Sequence, residues 1–215
     1  MSVVFEISTS LDGYVAGPDA TLEEPLGKGG ELLHEWAVVL ATWRERHGLG
    51  SEGERGPDDD LVAERTGRTG AVVMGRRMFS GGAGPWEDDP KADGWWGADP
   101  PFHTPVFVLT HHERAPLVKE GGTTFHFVTD GVEAAVAAAR EAAGGQDVLV
   151  AGGASAGQQC LEAGLLDELL IHVAPVLLGG GIRLFDGPAG LRRLELVETV
   201  ASPRVAHLRY RTTRP

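Results

Sequence analysis

Short apolar runs alternate with glycine-rich and charged stretches, and the spacing within each run separates strand from helix. Residues 3–8 read as a strand that ends at the Asp12-Gly13 turn dipeptide. In ELLHEWAVVLATWRERHG, Leu32, Leu33, Trp36, Val39, Leu40 and Trp43 recur at helical spacing and predict one helix. The following GLGSEGERGPDDD is polar and glycine-rich and reads as a mobile surface loop, with Asp58, Asp59 and Asp60 a solvated run. GAVVMG (70–75) and PVFVLT (105–110) read as buried strands, and TTFHFV as an alternating one. Residues 80–105 carry much Gly, Pro and Asp beside Trp86, Trp95 and Trp96, and read as irregular. DGVEAAVAAAREAAGG predicts a helix, capped by Asp130, with Glu133 three residues on and Gly144 as its stop. DVLVAGGASAGQQCLEAG predicts a strand, a Gly152-Gly153 turn and a helix over 155–163. DELLIHVAPVLLGGG is largely apolar, and two further strands are predicted over 194–200 and 205–211.

Strands alternating with helices imply an α/β fold around a mostly parallel central sheet, and the two terminal strands add an antiparallel C-terminal edge. No repeat or clear linker interrupts the pattern, so one domain is expected over 1–215. The 215 residues suffice for a sizeable core, and 42% hydrophobic with 23% charged residues is ordinary for a soluble globular protein. No apolar run approaches the ~20 residues of a membrane span. The start lacks the basic region of a signal peptide, and the lone Cys160 excludes an intrachain disulfide. A cytoplasmic protein is the expectation. The net charge of −12 repels phosphate backbones, which argues against nucleic acid as a partner. It also makes any local cluster of arginines informative.

Candidate anion binders follow three of the predicted strands. In parallel α/β sheets, ligands lie beyond the carboxyl ends of the strands. Gly152-Gly153 stands there, followed by a helix whose free N–H groups suit an anion such as a phosphate; the pair also reads simply as a tight turn. VVMGRRMF places Arg76 and Arg77 past a second strand, and VFVLTHHER places Thr110, His111, His112 and Arg114 past a third. A dinucleotide with a 2′-phosphate needs two anion sites of this kind. The His pair has no partner at metal spacing, so no metal is expected.

VVMGRRMF, PVFVLT and VLVAGGASAGQQ, in that order, resemble the three cofactor segments of the dihydrofolate reductase fold. SLDGYVAG, GAVVMGRRMF, LVAGGASAGQQCLEAGLLDEL and APVLLGGGIRLF resemble more closely the reductase domain of the bifunctional deaminase-reductase of bacterial riboflavin biosynthesis, and its stand-alone relatives. The resemblance runs from Val3 to Tyr210. It implies a three-layer fold with helices on both faces of the sheet, and an NADPH site. By position, Arg76 would meet the 2′-phosphate and Arg77, after Gly75, the pyrophosphate region. Gly152, Gly153, Ala154 and Ser155 would wrap the pyrophosphate, with a cis Gly152–Gly153 bond. Thr110, His111 and Arg114 would flank the adenosine. This chain has Met78 where the family usually has Thr, and Ala151 where the riboflavin reductases commonly have Glu.

The same resemblance places substrate near Asp12, Tyr14, Glu31, His34 and Trp36, with Asp12, Glu31 and His34 as catalytic candidates. Each also has a structural reading: Asp12 as a turn residue, Glu31 as a first-turn helix carboxylate, His34 and Trp36 as helix surface and core. The implied activity is an NADPH-dependent reductase of a small heterocyclic or carbonyl compound, akin to 5-amino-6-(5-phosphoribosylamino)uracil reductase. The alternatives are a dihydrofolate or pteridine reductase, or a non-catalytic nucleotide-binding protein of the same fold. Family reductase domains commonly pair, and HVAPVLLGGG reads as an apolar run near a sheet edge, so a homodimer is expected.

Overall fold

In chain order the computed structural model contains strand β1 (Val3–Ser10), β2 (Tyr14–Ala16), a 3-10 turn (Gly30–Leu33), helices α1 (Glu35–Val38), α2 (Ala41–Arg46) and α3 (Pro57–Arg68), and β3 (Thr69–Gly75). Next come α4 (Arg76–Ser80), β4 (Pro105–Leu109), β5 (Leu117–Val118), β6 (Thr124–Val128), α5 (Gly131–Ala142), β7 (Asp147–Gly152) and α6 (Ala154–Glu162). Strands β8 (Glu168–Ala174), β9 (Ile182–Arg183), β10 (Leu194–Ala201) and β11 (Ala206–Thr212) complete the series. Residues 1–82, 84–186 and 191–213 are described. The contacts divide the chain into two compact units, Met1–Phe5 with Thr69–Leu166, and Glu6–Arg68 with Asp167–Pro215.

Unit 1 is built on parallel strands. The Val3–Phe5 part of β1 pairs with β7, β7 with β3, β3 with β4 and β4 with β6, all parallel, and the short β5 pairs antiparallel to β6. These strands read as near-continuous apolar runs because the central ones are covered on both faces. Val72, Val73, Met74, Val106, Val108 and Val148 are buried. Around them Phe79 meets Phe125 and Phe127 edge to face, at 4.9 and 5.3 Å between ring centroids. Helix α5 begins after Asp130, as expected, although the Asp130 side chain makes no capping hydrogen bond.

Unit 2 is antiparallel. Strand β11 pairs with β10 on one side and β8 on the other, with His207 directly opposite His172. Strand β8 also neighbours β1, so HVAPVLLGGG begins on an interior strand; β10 is the edge. The fold-class expectation holds: parallel strands with helical connections, and antiparallel strands at the C-terminal end.

Two expectations are corrected here. The helix expected over 31–47 is three pieces. Leu40 turns extended, with ψ 143°, and its neighbours bond to a distant segment: Glu54 N–H donates to Val39 O at 2.8 Å and Ala41 N–H to Glu54 O at 3.0 Å. Residues 48–56 are irregular, as expected, but the aspartate run that follows is not a solvated loop: it opens α3. Pro57 takes its first position and three aspartates favour its positive end. Asp58 and Asp59 are buried, and Asp59 accepts the Thr42 N–H at 2.8 Å and an Arg55 N–H at 3.1 Å.

Candidate functional site

Three of the sequence-predicted segments lie side by side in unit 1. Strand β3 sits between β7 and β4, with Met74 opposite Gly152 and Gly75 opposite Leu109. Their parallel direction puts the three carboxyl ends together. A side chain added at Gly75 would come to 3.8 Å from Gly152 O and 3.9 Å from Ala156 Cβ, so Gly75 faces the glycine turn. The Gly152–Gly153 peptide is cis, as the resemblance implied. Gly152 has φ 119°, where only glycine is at ease. Gly153 has φ −68°, open to any residue, yet nothing lies within 4 Å of where its Cβ would stand. Helix α6 starts on the next residue. Ala154 is buried, and the exposed Ser155 accepts a hydrogen bond from Gln159 Nε2 at 3.0 Å.

The cationic residues divide into engaged and exposed. Arg76 is buried and flat against the Trp86 ring, its guanidinium carbon 3.6 Å from the ring centroid. It donates to Ser80 Oγ and, at 2.5 Å, to Asp89 Oδ2. Ser80 Oγ–H donates to the same oxygen at 2.7 Å and Lys91 N–H to the other at 2.8 Å. Burial pushes the Asp89 carboxyl up, but the bonds from Ser80, Arg76 and the Lys91 amide outweigh it and hold the group below the ordinary range. Arg114 donates to Asp93 at 2.7 Å and to Ala92 O, and lies 5.0 Å over Trp86. Trp86 Nε1–H donates to His112 O at 2.9 Å, and Thr110 Oγ1 accepts the His112 N–H at 3.1 Å. Arg77 and His111 are exposed. Met78 and Ala151 pack against the aromatic core of unit 1, which accounts for apolar residues at both places.

The substrate-side candidates belong to unit 2. Asp12 accepts the Leu178 N–H at 3.1 Å and the Gly179 N–H at 2.7 Å. The Ser10 hydroxyl first, and then these amides, hold its carboxyl below the ordinary range against a burial penalty. A carboxylate held in this way fastens two loops. Glu31 is exposed and shares a turn with His34, whose N–H donates to Glu31 O at 3.0 Å. Burial, and then the charge of His172, push the His34 imidazole below its usual value. Trp36 is core, as its bland reading had it. Cys160 is buried, and burial raises its thiol to about 12, so it is packing.

Sequence reasoning missed one polar group in each unit. In unit 1 it is Asp89, hidden in a stretch read as irregular. In unit 2 it is a buried row: His207 Nε2 lies 3.1 Å from Asp58 Oδ1, His207 Nδ1 2.7 Å from His172 Nδ1, and His172 Nε2 3.1 Å from Glu6 Oε1.

The strand arrangement and glycine turn define an α/β chain of the dihydrofolate reductase-like class, and solved structures agree. A putative riboflavin biosynthesis protein from Shewanella sp. PV-4 matches with TM-score 0.63 and 22% identity over 100% of both chains. A pyrimidine reductase-like protein from Corynebacterium diphtheriae matches with TM-score 0.56 and 16% identity, over 100% of this chain and 93% of its own. Acinetobacter baumannii RibD matches with TM-score 0.56 and 18% identity; the chain is covered to 99% but spans only 58% of that protein. The chain belongs to the RibD C-terminal domain family, whose model matches residues 1–208. No curated protein sequence matches it. Among the described residues no helix is long and apolar enough to cross a membrane.

Proposed function

We propose that this chain is an NADPH-dependent reductase of a small heterocyclic or carbonyl compound. One observation carries the reading: Gly75, the Gly152-Gly153 turn and the start of α6 meet at neighbouring strand ends, with open space over Gly153. That space and the helix N-terminus suit a pyrophosphate. NADPH, when bound, supplies a hydride. The chain's own part is to hold the dinucleotide with these backbone amides and with exposed Arg77.

The fit differs at the 2′-phosphate. Arg76 already serves Asp89 and Ser80, so a phosphate there competes with a carboxylate. Arg77 is the arginine of the pair left exposed to bias the site toward NADPH. Membership of the RibD C-terminal domain family supports a reductase. A protein from Thermotoga maritima, matched with TM-score 0.54 and 14% identity over 99% of this chain and 56% of its own, is described as a diaminohydroxyphosphoribosylaminopyrimidine deaminase/5-amino-6-(5-phosphoribosylamino)uracil reductase. The aminouracil intermediate therefore heads the substrates to screen, before pteridines and dihydrofolate. Exposed Leu194, Leu196 and Val197 on edge strand β10 support pairing with a second copy.

The test is titration of NADPH and NADH into the wild type and Gly153→Val, with melting measured alongside. A branched side chain in the open space lowers NADPH affinity by about tenfold or more, at little cost in stability. A folded Gly153→Val that binds NADPH like the wild type returns the glycines to turn-making alone.

A further inference from the structure

The polar row in unit 2 is made by Glu6 on β1, His172 on β8, His207 on β11 and Asp58 on α3. The His172 and His207 side chains are 3% and 1% exposed. Trp36 covers both imidazoles, with ring centroids at 4.7 and 4.9 Å, and donates its own N–H to Ser8 Oγ at 3.2 Å. Water is therefore largely kept from the two rings, and the groups must satisfy one another.

The three contacts in the row can be counted in protons. Each hydrogen bond needs one, and a contact with none sets two lone pairs against each other. Two ionised carboxylates and two neutral imidazoles supply two protons for three contacts. One contact would fail, and the distances of 3.1, 2.7 and 3.1 Å show all three formed. We infer that the row holds a third proton, with His172 as an imidazolium donating to Glu6 and to His207, and that this proton fastens α3 to strands β8 and β11.

The surrounding charges favour that placement. Arg65 on α3 approaches Glu6 Oε2 at 3.6 Å. Burial raises the Glu6 carboxyl, but His172 and then Arg65 more than reverse this and keep it ionised. His207 is pushed down by burial first and the charge of His172 second, against Asp58 and Glu6, which favours its neutral form. It accepts at Nδ1 and donates at Nε2 to Asp58. Among the described residues, His34, also pushed down by burial and His172, and Arg46 on α2, pushed down by burial against the Glu6 charge, face the row as well.

The pH dependence has a fixed sign. An unfolded chain carries four ring N–H protons on the two histidines below their ordinary value of about 6.5, and two above it. The folded row carries three. Below about pH 6.5 unfolding takes up a proton, so the row's contribution to stability rises with pH. Above it unfolding releases one, so the contribution falls as pH rises, until the folded row loses its third proton. The contribution peaks near pH ~6.5, with the unfolding constant changing up to about tenfold per pH unit on each side.

Two isosteric variants isolate the third proton. In Glu6→Gln the amide donates to His172 Nε2, so all three contacts form with two neutral imidazoles, His172 carrying Nδ1–H and His207 Nε2–H. In Asp58→Asn the amide donates to His207 Nε2 and the row reverses, His207 carrying Nδ1–H and His172 Nε2–H. Nitrogen-15 NMR of the imidazoles at about pH 7.5 reads each state directly. The expected result is a doubly protonated His172 in the wild type, the two opposite tautomer patterns in the variants, and loss of the alkaline slope in unfolding titrations of both. Should one variant fail to fold, the wild-type spectrum and the other variant still decide. A neutral His172 in the wild type, or the same alkaline slope in a folded variant, overturns the inference.

Discussion

Each unit holds a buried charged arrangement beside or within its sheet, and these two arrangements span very different distances along the chain. In unit 1, Arg76 meets Asp89 thirteen residues away, and both belong to the segment that leaves β3. In unit 2, Glu6 meets His172 across 166 residues and Asp58 meets His207 across 149. The first pair uses a strong opposite-charge contact beside the carboxyl end of β3. The second arrangement ties three strands and a helix together through shared protons. The Arg76–Asp89 pair is organised locally, while the Glu6–His172–His207–Asp58 row is assembled from both stretches of unit 2.

The largest expected effect tests the local pair. Arg76→Ala leaves Asp89 buried without its cation, and breaking a buried pair from one side costs about 3–5 kcal/mol. Arg77→Ala removes an exposed neighbour and should stay within ~0.5 kcal/mol. Denaturant unfolding of the two variants compares them directly, and equal losses would mean that Asp89 is not what Arg76 is for. Cofactor titration of Arg76→Ala is informative only beside this measurement, since lost binding and lost folding otherwise look alike.

A smaller effect separates two glycines of the same strand–helix turn. A Cβ on Gly157 would overlap the buried Phe5 ring, whereas one on Gly153 meets nothing within 4 Å. Gly157→Val should therefore lose about 1–3 kcal/mol by overpacking. Gly153→Val should melt close to the wild type. Similar melting of both would show that Phe5 can move aside.

The smallest signal comes from Cys160. With its thiol raised to about 12, the thiolate fraction at pH 8 is on the order of 10⁻⁴. Thiol-specific reagents should leave it untouched in the native protein and label it once denatured. Rapid native labelling would show that unit 1 opens locally around α6.

What the sequence disclosed follows the same division. Strands β3, β4, β6 and β7 and helices α5 and α6 of unit 1 were legible, as were β10 and β11 of unit 2, because apolar runs and glycine turns are local signals; α4 and β5 were not. The glycine turn and the Arg76-Arg77 pair were placed at strand ends for that reason. The partner of Arg76 was not, since nothing in PWEDDP singles out Asp89 from Asp88. In unit 2 the periodicity over 31–47 was real, but it could not reveal that Val39 and Ala41, on either side of Leu40, bond across to Glu54. The aspartates at 58–60 looked solvated because their partners lie elsewhere: Thr42 and Arg55 for Asp59, His207 for Asp58. His172 and His207 sit in ordinary strand patterns, and only the β8–β11 register makes them a pair.

The way the chain is divided also orders its assembly. Apart from Met1–Phe5, unit 1 is the continuous stretch Thr69–Leu166, whereas unit 2 joins Glu6–Arg68 to Asp167–Pro215. As the polypeptide leaves the ribosome, every strand of unit 1 is available once β7 has emerged, and β1 is already waiting to pair with it. Helix α3 by then has no β8 or β11 to dock on, and Asp58 has no histidine to meet. Residues 6–68 must wait for residues 167–212 before their sheet can close, and such long-range closure is slow and leaves apolar surface exposed meanwhile. The run of aspartates that opens α3 keeps that unpartnered segment charged during the wait.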